Sequence, residues 1–134
     1  MPTRRKAREV AIQLLFKDDF NAEQKKLESD FVRGRLQNRA KIVEFCLELV
    51  NGVRDNLTQI DTDIAQALQN WNLERVSATD RSILRLGAYE LRHTDTPAAV
   101  VVNEAVELAK RFGDKQSHKF VNGVLDRLHS KDKD

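Results

Sequence analysis

The chain has 134 residues, of which 40% are apolar and 33% are charged, and its formal net charge is only +2. This length suits one domain with a hydrophobic core, and the low net charge excludes a polycation that binds nucleic acid by overall charge alone. Two prolines and five glycines leave little room for the turns of an all-β fold. No apolar stretch could span a membrane, no secretory signal follows the basic N-terminus, and the single cysteine fits a reducing compartment, so we expect a cytoplasmic protein.

The first predicted helix runs from about Thr3 to Phe20, with apolar residues at helical spacing. Its first turns contain a cluster of cations: Arg4, Arg5, Lys6 and Arg8. A helix N-terminus carries partial positive charge and disfavours cations, so the cluster indicates an anionic partner, the alternative being a solvated charged end. Ile12 and Phe16 are predicted to lie on the side of the arginines. An aromatic among basic residues suits single-stranded nucleic acid, although Phe16 could instead pack on a second helix.

The middle of the chain predicts three more helices. The segment 21–38 is the least clear, because Gly34 weakens its pattern, whereas apolar spacing from Ile42 to Val53 predicts a strong third helix with Cys46 buried on its apolar face. A capping-box pattern over Thr58–Asp61 predicts the start of a fourth helix that continues toward Trp71. We interpret Trp71 as an anchor between two halves of the domain. Asp61 and Asp63 are interpreted as solvated helix residues, not as a metal pair.

Three further helices are predicted after Trp71. Ser77 and Asp80 fit a capping box at the start of the first. Pro97 suits the first position of the second, whose apolar face ends at Phe112. The last begins at about Asp114 or Ser117, and its apolar stripe is Val121, Val124, Leu125 and Leu128, with Phe120 at the edge. Gly123 interrupts this helix, and we expect close helix packing there, the alternative being a ligand.

No arrangement of residues typical of catalysis is present. The chain has no phosphate-binding glycine loop, no dinucleotide pattern and no Cys/His spacing typical of a metal site. We therefore expect no catalytic residue, no metal and no cofactor, and we interpret the chain as a binding protein.

Five segments resemble the NusB family of bacterial transcription antitermination factors. They are RRKARE at 4–9, DRSILR at 80–85, AYEL at 88–91, NEAVELAK at 103–110 and KFVNGVL at 119–125. The motifs occur in the right order over nearly the whole chain, and the resemblance is weakest at about 21–39. It implies a single all-α domain of about seven helices in two small packed bundles, an N-terminal subdomain of about 1–70 and a C-terminal subdomain of about 71–130.

The resemblance also implies a function and a set of contact residues. The protein would bind the boxA element of nascent RNA together with the ribosomal protein NusE, in complexes that also include other antitermination factors and keep RNA polymerase elongating through ribosomal RNA operons. The positions implied to contact RNA are Arg4, Arg5, Lys6, Arg8, Gln116, Ser117, His118, Lys119 and Phe120. The positions implied to face NusE are Phe16 and Asp80. Phe16 replaces a tyrosine found in some members, and Asp80 has the alternative role of capping its helix.

Two alternatives remain open from the sequence. Similar helical domains form the RNA-binding portion of ribosomal RNA cytosine methyltransferases. This chain has no room for their catalytic domain, so that alternative requires the chain to be part of a longer protein. Some family members form dimers, so a structural homodimer is the second alternative.

Overall fold

The computed structural model describes residues 2–20, 28–69 and 72–131, and these ranges contain seven α-helices and no strand. The helices are α1 (Arg4–Asp18), α2 (Glu28–Arg35), α3 (Ala40–Asp55), α4 (Leu57–Ala67), α5 (Ala78–His93), α6 (Ala98–Phe112) and α7 (Ser117–Lys131). A short 3₁₀ helix, Leu73–Arg75, lies between α4 and α5. The predicted all-α class is confirmed. Trp71 lies outside the described residues, and the two-subdomain division stays a prediction.

Helix α1 is enclosed by its neighbours. It packs mainly on α3 and α5, and Ala7, Val10 and Ala11 are completely inaccessible to solvent. Ile12, which the helical wheel places outside the apolar stripe, is also buried. A helix that is covered on several sides has a wider buried surface than one stripe, which accounts for the burial of Ile12 away from the centre of the stripe.

Helices α5, α6 and α7 pack on one another. The predicted stripe of α7 is confirmed, because its four apolar members are all fully buried. The predicted burial of Phe112 is wrong, since its side chain is 39% exposed. Phe112 is the last residue of α6, so the chain turns away before a neighbouring helix can cover the ring.

The capping predictions have mixed outcomes. Ser77 is confirmed as an N-cap, because its hydroxyl oxygen accepts the Asp80 N–H at 3.2 Å. The predicted cap at Thr58 is wrong, because α4 begins one residue earlier, at Leu57, after Asn56. The Asn56 side chain instead donates to the carbonyl oxygen of Gly52 at 2.8 Å, which links the end of α3 to the start of α4. Pro97 is the residue just before α6 and not its first helical residue.

Close packing between helices depends on Gly52 and Gly87, and neither is the predicted glycine. A Cβ atom at Gly52 would collide with the Tyr89 ring, and one at Gly87 would lie 2.8 Å from a Leu125 methyl group. At Gly123 the nearest atom would be the flexible guanidinium of Arg127 at 3.3 Å, so the predicted close packing there is wrong.

Ion pairs join the helices around α5. Arg85 bonds Asp61 of α4 at 2.8 Å and Asp19, just after α1, at 2.7 Å. Arg92 bonds Asp63 at 3.1 Å. The interpretation of Asp61 and Asp63 as solvated residues is therefore wrong, because both carboxylates join α4 to α5. None of the helices in the described ranges combines the length and apolarity needed to cross a membrane.

Gly52 gives a direct test of this packing. Gly52→Ala should lower the free energy of unfolding by about 1–3 kcal/mol, because the new methyl group forces the Tyr89 ring to move. Gly34→Ala is the matched control, since Gly34 also lies in a helix. Gly34 is exposed, and a Cβ atom added there would have no neighbour within 4 Å. It should raise stability by up to about 1 kcal/mol through helix propensity. Chemical denaturation measures the free energy of unfolding of both variants. Equal changes in the two variants would contradict the packing described.

Candidate nucleic-acid and protein interfaces

The basic end of α1 begins at a capped turn. The Thr3 hydroxyl oxygen accepts the Lys6 N–H at 3.2 Å, and the first turn contains no acidic residue. Arg4 is exposed, and its guanidinium lies 4.6 Å from the centre of the Phe45 ring of α3. A cation over an aromatic face is weakly held, so Arg4 keeps its hydrogen-bond donors available to a ligand.

The next two cations have acidic partners. Arg5 bonds Glu104 of α6, with Nε 2.9 Å and Nη2 3.3 Å from the two carboxylate oxygens. Lys6 lies 3.3 Å from Glu9, which also bonds Arg111 near the end of α6. The hydrogen bond with Glu104, followed by its charge, raises the pKa of Arg5 above the ordinary value. The cationic end of α1 is therefore interleaved with carboxylates.

Arg8 lies inside the protein. It is 4% exposed and forms three hydrogen bonds of 2.9–3.3 Å with Glu90 of α5, which is 2% exposed. Its guanidinium also lies 5.1 Å from the Phe45 ring. An RNA phosphate can reach Arg8 only if this ion pair opens. In the structure Arg8 joins α1 to α5, and its contact with RNA stays a prediction.

The start of α7 is a reciprocal cap. Asp114 Oδ1 accepts the N–H groups of Gln116 and Ser117 at 2.8 and 3.1 Å. In return the Ser117 hydroxyl oxygen accepts the Asp114 N–H at 2.9 Å. Ser117 is only 2% exposed, so it shapes this turn and presents almost no surface to a ligand.

The remaining predicted RNA residues of α7 are accessible. Gln116 and Lys119 are exposed, and His118 and Phe120 are partly buried. Phe120 packs against the edge of the core, as the helical wheel predicts. This group follows the end of α6, whose Arg111 bonds Glu9 of α1. Both sets of predicted RNA residues are thus connected to α6, the first through its ion pairs with α1 and the second through the chain that follows Phe112.

The two predicted partner residues differ in exposure. Phe16 is 40% exposed and its ring centre lies 5.0 Å from that of Phe20, which is 69% exposed. Asp80 is 7% exposed, and its Oδ1 has no hydrogen-bond partner among the described residues. Burial raises the pKa of the Asp80 carboxyl, while hydrogen bonds with Ser117 and Ser77 oppose the rise. Asp80 thus lies beneath the surface, between the starts of α5 and α7.

Both predicted partner positions are near the contact between the end of α1 and the start of α5. Asp19, which follows α1, bonds Arg81 in the first turn of α5 at 3.1 Å. This contact holds the exposed Phe16–Phe20 pair close to the start of α5. The pair forms an apolar patch next to charged side chains, a composition typical of a protein-binding surface.

The sequence did not reveal several residues of these surfaces. Glu90, Glu104 and Phe45 each contact a cation of α1 from another helix, and no local pattern marks them as partners. No local pattern marks Arg111 either, although it bonds Glu9. A conserved pairing in an alignment is the kind of signal that would reveal such contacts.

Within the described ranges, no three His, Cys, Asp or Glu side chains converge in a way that could hold a metal ion. Cys46 is fully buried, as predicted, and burial with a smaller contribution from Glu28 raises the pKa of its thiol to about 12. A thiol with this pKa is protonated near neutral pH and is a poor nucleophile.

The described helices define an all-α domain with a cation-rich end. The model of the NusB family matches residues 5–130. A transcription antitermination protein NusB from a Nitratiruptor species is 48% identical over 129 residues, which cover 96% of this chain and 92% of that relative. The chain therefore belongs to the NusB family.

Solved structures show the same fold. T. maritima NusB is 36% identical, with a TM-score of 0.85 over 98% of this chain and 94% of that chain. A structure of the antitermination factors NusB and NusE in complex with double-stranded RNA is 28% identical, with a TM-score of 0.86 over 96% of each chain.

The buried pair of Arg8 and Glu90 yields a stability prediction. Arg8→Ala should cost about 3–5 kcal/mol in the free energy of unfolding, because it leaves a buried carboxylate without its partner. Replacing both residues, as Arg8→Met with Glu90→Leu, should recover most of that loss, since no buried charge remains. Chemical denaturation measures both variants. If Arg8→Ala alone were as stable as the wild type, the pair would be solvated and not buried.

Proposed function

We propose that this chain is a transcription antitermination factor that binds boxA RNA together with NusE in ribosomal RNA operon complexes. The observation that carries the proposal is similarity to antitermination proteins over almost the whole of both chains, including a solved complex that contains NusE and RNA. We further propose that it acts in the cytoplasm, as a binding protein without catalytic activity. Coverage of 92% of a relative named as an antitermination protein favours this function over the RNA-binding portion of a methyltransferase.

We propose that the RNA-binding surface has two parts. Arg4, Arg5 and Lys6 supply charge for phosphates, and Lys119 and Phe120 supply a charge and a ring for an unpaired base. Gln116 and His118 border this ring. Exposure supports these roles, whereas the buried Arg8 and Ser117 would act by fixing the helices that present the surface.

We propose that NusE binds the end of the molecule where α1 finishes. The Phe16–Phe20 pair is apolar and exposed, so a partner can remove it from water. Asp80 has little exposed area, and we assign it the role of ordering the starts of α5 and α7 beneath this surface. This arrangement would connect the NusE side of the protein to the RNA side through one buried junction.

A binding titration tests the proposal. The protein is titrated with boxA RNA and with a scrambled RNA, each with and without NusE. We expect boxA RNA to bind more tightly than the scrambled RNA, and NusE to tighten boxA binding by about 5–150-fold, the usual range of coupling between two ligands. Equal affinity for both RNAs in the presence of NusE would refute the proposed function.

Phe16→Ala tests the proposed partner surface. It should reduce the effect of NusE and leave the RNA affinity of the free protein unchanged. Val100→Ala is the matched variant, because Val100 is similarly exposed, at 43%, but lies on α6. It should leave the effect of NusE unchanged. Loss of the effect in both variants would argue against a partner site at Phe16.

Phe120 gives a separate prediction. Phe120→Ala should weaken RNA binding by about 1–3 kcal/mol, the usual cost of removing a base-stacking ring. Leu125→Ala on the same helix is the control, because Leu125 is fully buried, and it should cost about 2–5 kcal/mol in stability. RNA titration at low temperature and chemical denaturation are measured for both. If Phe120→Ala loses as much stability as Leu125→Ala and keeps its RNA affinity, Phe120 belongs to the core and not to the site.

A further inference from the structure

An exposed arginine of the basic end is already occupied by a carboxylate. The Arg5 side chain is 51% exposed, and it donates two hydrogen bonds to the Glu104 carboxylate, at 2.9 and 3.3 Å. Glu104 is itself 17% exposed and is anchored in the middle of α6. A carboxylate and a phosphate present similar pairs of oxygens to a guanidinium. Glu104 therefore holds Arg5 in the way that an RNA phosphate would.

The neighbouring acids differ from Glu104. Glu107, one turn further along α6, lies 3.5 Å from Lys110 and affects Arg5 only through its charge. Glu9 has a side chain that is only 5% exposed, and it bonds Lys6 and Arg111. Glu104 thus combines a direct bond to a proposed phosphate contact with a position at the surface, where solvent and a ligand can compete for the bond.

We propose that Glu104 sets the affinity of the RNA-binding surface by occupying Arg5 in the free protein and releasing it to a phosphate on binding. The inference rests on the proposed function, because it concerns the same surface. An exposed ion pair contributes little to stability, so it can be exchanged for a phosphate contact. The exchange leaves Glu104 without its partner, close to another anion, and this repulsion lowers the affinity for RNA.

The exchange has a measurable consequence for salt dependence. Binding of a cation to single-stranded nucleic acid changes the slope of log affinity against log salt by about −0.7 for each phosphate neutralised. Arg5 adds little to this slope in the wild type, because Glu104 acquires a counterion when Arg5 leaves it. Without the carboxylate, Arg5 adds its full share.

Glu104→Gln tests the proposal in the full chain. It should bind boxA RNA about two- to fivefold more tightly, with a slope more negative by about 0.7. Because Arg5 contacts a phosphate and not a base, scrambled RNA should gain by the same factor. Glu107→Gln, which removes the same charge from the same helix, is the matched control and should leave the slope unchanged.

A double variant separates a direct bond from a general change in charge. On an Arg5→Ala background, Glu104→Gln should leave the slope unchanged, because it releases no cation. All variants are compared at a temperature where circular dichroism shows them folded. An unchanged slope for Glu104→Gln in a protein that binds boxA RNA would overturn this inference alone. A wild-type protein that binds no RNA, with or without NusE, would overturn the proposed function and the inference with it.

Discussion

The buried ion pair between Arg8 and Glu90 constrains the rest of the structure. It joins the enclosed helix α1 to α5 at a point where neither side chain reaches water. Desolvation of two charges offsets much of their attraction, so the pair adds little net stability, but breaking one side of it is costly. Its main effect is to fix the rotation of α1. Because successive helical residues are about 100° apart, this rotation determines the directions of Arg4, Arg5 and Lys6.

The rotation of α1 determines which groups the cations of its first turn contact. Arg5 meets Glu104, Lys6 meets Glu9, and Arg4 meets an aromatic ring. Cations that the helix N-terminus disfavours are thus accommodated by carboxylates from the same protein. If RNA binds at this end, as we propose, the strand competes with these carboxylates, and its affinity then depends on pairs of charges and not on the small net charge of the whole chain.

Local patterns explain which features could be predicted from the sequence. The buried stripe of α7, the cap at Ser77 and the burial of Cys46 follow from spacing within one helix, and all three are confirmed. The partners of Arg5 and Arg8 could not be predicted, because they lie 99 and 82 residues away along the chain. The predicted cap at Thr58 is wrong because Asn56, two residues earlier, occupies the N-cap position of α4. The charge pattern of α1 indicates an anionic partner, and resemblance to a family implies the other contact positions. Burial in the structure then separates Arg8 and Ser117 from the positions that solvent reaches.

Our central proposal is that RNA contacts two surfaces, at the start of α1, which bonds α6, and at the start of α7, which follows α6. Ultraviolet cross-linking of boxA RNA containing 4-thiouridine to the complex of this protein with NusE, followed by mass-spectrometric peptide mapping, tests it most directly. We predict cross-links in the peptides that contain Arg4–Lys6 and Lys119–Phe120. Cross-links confined to α3 and α4, with both of those peptides unmodified, would contradict the claim.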